Sequence, residues 1–346
     1  MESTGNYWKP VYNIFEDEQI STIIVNAQHI KGVPGRKTDM KDAEWIADLV
    51  RHGLVKASFI PNRKQRELRE ITRYRQELIG ERARELNRIQ AVLEGCNLKL
   101  GSVITDINGK SGIAILKAIV SGETDSIALS ELAKGKARSK VAELQRALRG
   151  SVHLHQRLML KHQLDHIEDL SKIIEDLDSD IMEKTEFMNK QIQLLDEIPG
   201  IGRKSAERLL AEIGIEMGQF KNQSHFSSWA GLVPKCKESA GKKMSSRIRK
   251  GNKHVKAVLV ECARSAVRNK KTYFYSRYQR IAARRGGKRA LIAIAHSMLI
   301  AIYHILKNLQ PYKELGCDYY STFNQEKIIQ KNIHSLERLG LKVQIE

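Results

Sequence analysis

Leu160-Lys-His-Gln-Leu-Asp-His-Ile-Glu-Asp-Leu-Ser-Lys-Ile-Ile-Glu-Asp-Leu-Asp-Ser-Asp-Ile181 sets leucine or isoleucine at 160, 164, 167, 170, 174, 177 and 181. Gaps of three and four keep all seven on one face of a helix. The spacing predicts a long helix from about Val152 to Met188 with one apolar seam, and such a seam needs a partner. A second long charged helix is predicted upstream, from Pro61 to about Cys96. There Leu68, Ile71, Leu78, Leu86, Ile89 and Leu93 are separated by threes, fours and their sums. The pattern suits a helical hairpin within one chain or a coiled coil between subunits, and spacing alone leaves both open. Between the two, residues 101–150 read as shorter helices broken by Gly109, Gly112, Gly122 and Gly135. The chain is therefore expected to be mainly α.

Toward the N-terminus, residues 6–15 read as a short amphipathic helix and Ser21 to Val25 as a buried strand. A loop over 32–39 feeds a helix from about Asp39 to His52, with Thr38 or Asp39 as N-cap and Gly53 as stop. This run is a fragment of an α/β layer, too short to close a sheet. Toward the C-terminus, Ile198-Pro-Gly-Ile-Gly-Arg-Lys-Ser-Ala-Glu207 puts a glycine-rich turn between helices, like the hairpin of helix-hairpin-helix modules. In those modules the glycines let backbone N–H groups at a helix start approach a phosphate, and Arg203 and Lys204 lie beside the turn. Without a ligand, the same turn would simply join two helices. A long apolar helix is expected from about Arg289 to Leu309, and the last two dozen residues are polar and irregular.

Charge is concentrated. Pro234 to Arg289 holds 19 Lys and Arg against two acids, Glu238 and Glu261, a net of +17 out of +19 for all 346 residues. Charge meant only for solubility would be spread out, so this stretch reads as a footprint for a polyanion, by default nucleic acid. The four cysteines (Cys96, Cys236, Cys262, Cys317) are far apart and form no Cys-x-x-Cys pair, which argues against zinc ribbons and a disulfide framework and fits a reducing cytosol. Ala290 to Leu306 is apolar but interrupted by His296, Ser297 and His304, which suits a buried helix better than a membrane span. No secretory signal is read at the start. The totals point to a cytoplasmic, nucleic-acid-associated protein with room for two or three domains.

Two places could carry chemistry. Asp39 and Asp42, three apart at a predicted helix start, share a face. They could hold a hard divalent ion such as Mg²⁺, or simply favour the helix dipole. Glu2 is a further carboxylate. Ser239 sits in Glu238-Ser-Ala-Gly-Lys-Lys243, with Lys242, Lys243, Arg247, Arg249, Lys250 and Asn252 close by. A serine attacking a phosphodiester needs activation and cations to hold the phosphate. The other reading is a Ser-Ala-Gly turn flanked by lysines that contact backbone phosphates. His254, His296 and His304 show no spacing that suggests a shared metal.

Several ordered stretches decide between these. Met1-Glu-Ser-Thr-Gly-Asn-Tyr-Trp-Lys-Pro10, Pro34-Gly-Arg-Lys-Thr-Asp-Met-Lys-Asp-Ala-Glu-Trp45 and Ile198-Pro-Gly-Ile-Gly-Arg-Lys-Ser-Ala-Glu207 come first. Ser228-Trp-Ala-Gly-Leu-Val-Pro234, Glu238-Ser-Ala-Gly-Lys242, Arg249-Lys-Gly-Asn-Lys253 and Leu315-Gly-Cys-Asp-Tyr-Tyr320 follow. In this order they resemble the bacterial insertion-sequence transposases of family one-ten, the DEDD-type serine recombinases also called bridge-RNA-guided recombinases. The resemblance runs from residue 1 to about 320.

The resemblance implies a RuvC-like (RNase H fold) N-terminal domain with four metal-binding acids, a helical coiled-coil connector that helps dimerise or tetramerise the protein, and a C-terminal transposase domain with a nucleophilic serine. It implies these over residues 1–60, 61–190 and 191–325, followed by a polar tail at 326–346. By motif, Glu2 matches the second acid, Asp39 and Asp42 the third and fourth, and Ser239 the serine. Arg203, Lys204, Lys242, Lys243, Arg247, Arg249, Lys250 and Asn252 are the expected nucleic-acid contacts. Mg²⁺ or another divalent cation is the implied cofactor, with DNA ends and target, a structured guide RNA and further copies of the chain as partners. No membrane is implied, and the location is cytoplasmic, at the nucleoid. The family's first acid lies some fifty residues before the Glu2 motif, so the RuvC-like domain is expected to be truncated, with three of four acids and impaired strand exchange. Two other readings stand beside this one: a Holliday-junction-type nuclease that cuts by activated water, and a non-catalytic DNA- or RNA-binding remnant.

Overall fold

The computed structural model describes the chain apart from residues 3–4, 26–38, 55–56, 235–236, 240–241, 246, 324 and 340–346. Within elements, the side chains of 39–42, 237–239 and 242–245 also lie outside the described residues, as do several in 321–335.

Helix α1 (Trp8–Asp17) and α2 (Asp39–Arg51) precede the first long helix, α3 (Arg63–Gly95). Asn62 starts α3 by accepting from the Gln65 amide at 2.9 Å, satisfying one orphan N–H of the first turn. Helix α4 (Lys110–Ser121) ends at Gly122, whose φ of +111° suits glycine. Helix α5 (Leu154–Lys184) is the second long helix and packs along α3 in the same chain. Both predicted boundaries fall within a few residues of the observed ones.

The seven-residue seam is thus filled from within the chain. Leu160, Leu164 and Ile167 join Ile89 and Leu93 in one core, with the short helices of 100–147 packed over them. Leu170 and Ile174 meet Leu78 in the middle of the hairpin. Ile181 meets Leu68 at the far end, where both enter the core of the C-terminal helices. The long helical pair and the C-terminal helices therefore share one apolar cluster.

That cluster gathers α6 (Asn189–Asp196), α7 (Arg203–Ile213), α8 (Gln223–Trp229), α9 (Lys253–Ala266), α10 (Tyr273–Arg285) and α11 (Gly287–Asn308). By length and composition α11 could cross a membrane, but half of its most apolar window is buried within the protein. Ile294, Ala295, Met298, Leu299 and Ile302 belong to the same cluster as Val258 and Leu259 of α9, so its apolar face is a core face. Between α8 and α9 runs an antiparallel hairpin, β1 (Lys237–Ser239) and β2 (Lys242–Ser245). Helix α12 (Gln325–Arg338) follows near the C-terminus, where the sequence reading expects irregular chain.

The expected strand at Ser21 to Val25 does not form among the described residues. Ile24 is buried, and Val25 is buried beside Leu49, but among the described residues Val25 makes isolated bridges, parallel to Glu2 and antiparallel to Ala57. An apolar run becomes a strand only when neighbours continue the ladder, and among the described residues the contacts stop at isolated bridges, with Val25 N donating to Met1 O at 2.8 Å and Ser58 N to Ile24 O at 2.7 Å. The protein is mainly α, and its N-terminal region shows no RNase H-type sheet among the described residues.

Candidate nucleic-acid interface and catalytic hairpin

The hairpin carrying Ser239 is held at its root by two of the sequence motifs. Helix α8, capped by the Asn222 side chain accepting from the His225 amide at 2.9 Å, ends in Trp229-Ala-Gly-Leu-Val-Pro234. Phe220, Phe226 and Trp229 cluster there, with Tyr303 of α11 5.9 Å from Phe226 between ring centroids. Gly231 turns the chain with φ +70°. On the return, the Arg249 amide donates to Val233 O at 3.0 Å, the Asn252 amide donates to Trp229 O at 3.1 Å, and Ile248 bridges Pro234. A Cβ on Gly251 would lie 2.4 Å from Gly231 N and 2.5 Å from Trp229 O. Only glycine permits that backbone contact.

This gives a prediction. Gly251→Ala must open the root, and overpacking of this kind costs about 1–3 kcal/mol. A urea titration is expected to show that loss at an unchanged m-value. A melt indistinguishable from wild type would show that the glycine contact is not needed.

Beyond the root, Glu238 pairs with Lys243 and Ser239 with Lys242, with a bulge between Lys237 and Glu238. Ser239 is therefore the last residue of β1, with two residues between it and its partner Lys242. The backbones of Asp39 and Asp42 fall in the first turn of α2, and that of Glu2 bridges Val25. The side chains of Ser239, Lys242, Lys243, Asp39 and Asp42 lie outside the described residues. No group of three or more His, Cys, Asp or Glu that could hold a metal occurs among the described residues.

The other expected contacts are placed in detail. Arg203 donates through Nε to Glu207 Oε1 at 2.9 Å and through Nη1 to Asn189 Oδ1 at 3.2 Å. Lys204 reaches Asp178 Oδ2 of α5 at 2.6 Å, where Arg75 of α3 holds the other oxygen. Both cations are thus engaged in joining helices of this chain. Gly200, with φ +89°, faces α9 closely: a Cβ there would lie 2.5 Å from Cys262 O and 2.6 Å from Ala266 N. The glycine-rich turn accordingly seats α9. Arg249 is exposed, with Nη1 3.4 Å from Ser228 Oγ. Arg247 and Lys250 are exposed as well. Asn252 caps α9, its Oδ1 accepting from the His254 and Val255 amides at 2.9 and 3.1 Å. Its Nδ2 donates to Glu212 Oε2 at 2.8 Å, so both ends of the amide are occupied.

Glu212, unremarked in the sequence, proves central to the site's support. Its side chain is 3% exposed. Arg73 of α3 grips it with Nε to Oε1 at 2.7 Å and Nη2 to Oε2 at 2.9 Å. Arg69 donates through Nε to Ala211 O at 3.0 Å and through Nη2 to Glu212 O, satisfying carbonyls at the end of α7. Burial alone would raise the Glu212 pKa, but Arg73, Asn252 and Arg69 outweigh it and hold the carboxyl below its ordinary value. Burial brings the Arg69 guanidinium down to about 10, with Glu212 opposing the fall and Arg73 adding to it. His254, beside this network, is lowered by burial and by Arg73. One carboxylate therefore ties α3, α7 and the start of α9, and with it the hairpin root.

Known proteins resemble the chain at both ends. A family model described as "Transposase", of the DEDD IS110 type, matches residues 1–98, and one described as "Transposase IS116/IS110/IS902 family" matches residues 192–279. A "Probable family 20 transposase" of Pseudomonas aeruginosa is 24% identical over 285 residues, covering 81% of this chain and 75% of that protein. A "Pilin gene-inverting protein" of Moraxella bovis is 29% identical over 154 residues, covering 43% and 48%. An insertion element IS116 uncharacterized 44.8 kDa protein of Streptomyces clavuligerus is 25% identical over 253 residues, covering 64% of this chain and 61% of that protein. The second match spans the Ser239 hairpin and the helices on either side of it, and the two models lie in the order in which the sequence motifs run. The chain belongs to the IS110-type transposases, enzymes that act on DNA.

Proposed function

We propose that the chain cleaves and rejoins DNA through Ser239. The single observation that carries this reading is the placement of Ser239 at the tip of a short hairpin whose root is locked by Gly231 and Gly251. A residue set out on a braced tip can approach a phosphodiester, whereas one in a core helix cannot. In the step, Ser239 Oγ bonds to phosphorus and one bridging P–O ester bond breaks. The hydroxyl proton passes to a base, and the departing sugar oxygen ends as a hydroxyl. Rejoining reverses this with a different sugar hydroxyl, so the bond energy is conserved in the phosphoserine ester. Lys242, Lys243, Arg247, Arg249 and Lys250 flank the tip in sequence and supply cations for the phosphate.

Glu2, Asp39 and Asp42 are the carboxylates that would hold Mg²⁺. An all-oxygen donor set suits a hard cation. A bound ion would polarise the phosphoryl oxygens and stabilise a leaving alkoxide. The three acids bind and orient, and they are absent from the hairpin itself, so this reading has the acidic site meet Ser239 from elsewhere, as in a composite site with a second copy. The motif resemblance also supports a structured guide RNA that selects donor and target by pairing, a homodimer or homotetramer, and a cytoplasmic, nucleoid-associated location.

The test is to incubate the protein with duplex DNA carrying insertion-sequence ends and Mg²⁺, quench in denaturant, and map adducts by peptide mass spectrometry. A nucleotide mass on the peptide containing Ser239 is the expected result. Free hydrolysed ends without an adduct would instead favour the nuclease reading.

A further inference from the structure

A second cationic surface lies on helices α10 and α11. Between Glu261 and Glu314 the sequence has no Asp or Glu at all, while Lys and Arg recur throughout. Helices α10 and α11 fall in this stretch and pack on each other, joined at Gly286, whose φ of +82° makes the turn in a single residue. So tight a corner brings the end of one helix and the start of the next together. Arg284 and Arg285 occupy the last turn of α10, and Lys288 and Arg289 the first turn of α11; all four are exposed. Arg280, one turn earlier, is exposed with its guanidinium 4.1 Å from the centre of the Tyr320 ring.

Three observations set these five cations apart. First, none makes an ion pair among the described residues, whereas Arg203, Lys204 and Arg208 are paired with Glu207, Asp178 and Glu261. Second, folding does not favour two of them. The start of a helix carries partial positive charge, so Lys288 and Arg289 oppose the α11 dipole. Arg284 and Arg285 are explained by the α10 dipole, but Lys288 and Arg289 cost stability where they stand. Third, the apolar faces of both helices are committed to the core through Phe274, Ala290, Ile294 and Met298, which leaves the basic faces toward solvent.

The chemistry of the corner also selects its partner. Gln279-Arg-Ile-Ala-Ala-Arg-Arg-Gly-Gly-Lys-Arg289 contains no aromatic side chain. Tyr320 is covered on one face by Arg280, and the Tyr278 hydroxyl faces Gly287, where a Cβ would meet it at 2.9 Å. Single strands are held by stacking bases on exposed rings as well as by charge. A surface of charge alone, with no stacking platform, suits the regular phosphate rows of a duplex. We infer that the α10–α11 corner is a sequence-independent binding surface for the backbone of duplex DNA, distinct from the Ser239 hairpin. It rests on the chain's membership of a DNA-acting family, and on neither Ser239 nor a metal.

Arg284→Gln, Arg285→Gln, Lys288→Gln and Arg289→Gln combined remove four charges. A matched variant removes four exposed, unpaired cations elsewhere: Lys136, Arg138, Arg149 and Lys161, each to Gln. Fluorescence anisotropy with a 30-base-pair duplex of arbitrary sequence, in EDTA, gives the affinity from 50 to 200 mM salt. Each phosphate contact contributes about 0.9 to the slope of log K against log salt. The corner variant is expected to lose a slope of about 2 to 3.6, so that wild-type affinity falls about 16-fold to 150-fold more over this range than the variant's. The matched variant is expected to keep the wild-type slope. Removing Lys288 and Arg289 relieves an opposed dipole, so the melting temperature of the double variant Lys288→Gln/Arg289→Gln is expected to hold or rise. That pair alone should lose a slope of about 1 to 2, which keeps the test intact if the fourfold variant does not fold. An unchanged slope, an equal loss in the matched variant, or a loss seen only with single-stranded RNA would each overturn the assignment. Because the assay uses neither cleavage nor Mg²⁺, its outcome is independent of whether Ser239 is the nucleophile.

Discussion

Ser239→Ala is expected to abolish the covalent protein–DNA adduct and to lower strand exchange on the order of 10⁴-fold or more, the scale seen when an enzyme loses its nucleophile. By transition-state arithmetic that is about 5.4 kcal/mol on the barrier. The substitution removes only an oxygen at the end of β1. Ser239 pairs with Lys242 through its backbone, and the hairpin root is held by Gly231, Gly251 and the amides of Arg249 and Asn252. Alanine keeps all of those contacts, so DNA affinity and its salt dependence should match wild type. Ser239→Cys is the sharper companion. A thiolate can attack phosphorus but makes a weaker ester bond, so a faint adduct with little rejoining is the expected pattern. Gel-resolved adduct yield and filter binding, measured side by side, separate the outcomes. If Ser239→Ala retained wild-type adduct, the nucleophile would be another residue. If it lost adduct and DNA affinity together, the serine would be part of the binding surface.

Much of the helical frame was legible because a seam is a local property. Leu160 to Ile181 repeat within one helix, and the complementary row from Leu68 to Leu93 repeats within another, so each helix could be recognised alone. Whether they met within the chain was not legible, since a seam specifies that it needs a partner but not whose. The strand at 21–25 was not legible for the related reason that a ladder depends on residues distant in sequence; among the described residues Val25 makes isolated bridges to Glu2 and Ala57. Near the turn at Pro199, composition put Arg203 and Lys204 next to glycines and suggested phosphate contacts. The folded chain pairs them with Glu207 and with Asp178. Glu207 was four residues away and visible as a helical pair, but Asp178 comes from α5 and was not. The motif Arg-Lys-Gly-Asn-Lys was visible, yet its division of labour was not: Gly251 admits Gly231, Asn252 caps α9, and Lys250 is left exposed. Glu212 gave no signal among the charged residues of α7, because its partners Arg69 and Arg73 lie on α3, more than a hundred residues earlier.

That hidden carboxylate carries the second large effect. Glu212→Ala is expected to cost about 3–5 kcal/mol of stability, because it leaves the Arg73 and Arg69 guanidiniums facing a buried hole with no counter-charge. Glu212→Gln keeps the shape but offers one donor where Arg73 and Asn252 both need acceptors, so it should recover only a minor part. Glu212→Leu combined with Arg73→Met removes both charges together, and it should be less destabilising than Glu212→Leu alone, the non-additivity expected of a direct contact. The pH dependence follows from sign. The folded-state pKa of Glu212 is depressed below its ordinary value of 4.5. Its contribution is therefore fully present above that value and is lost as pH falls through the depressed folded value. Asp178, which burial would raise but Arg75 and Lys204 pull down, has the same sign. Urea midpoints of wild type and Glu212→Gln should thus be far apart at pH 7 and draw together below about pH 4, while Ser239→Ala tracks wild type throughout. A gap that stayed constant across that range would mean that the carboxylate acts through shape and not through charge. Because Glu212 also holds the Asn252 cap, a destabilised variant that is still folded at low temperature should lose adduct formation out of proportion to its DNA binding. That split would identify the Arg73–Glu212–Asn252 link as the brace that sets the serine-bearing hairpin against the long helical pair.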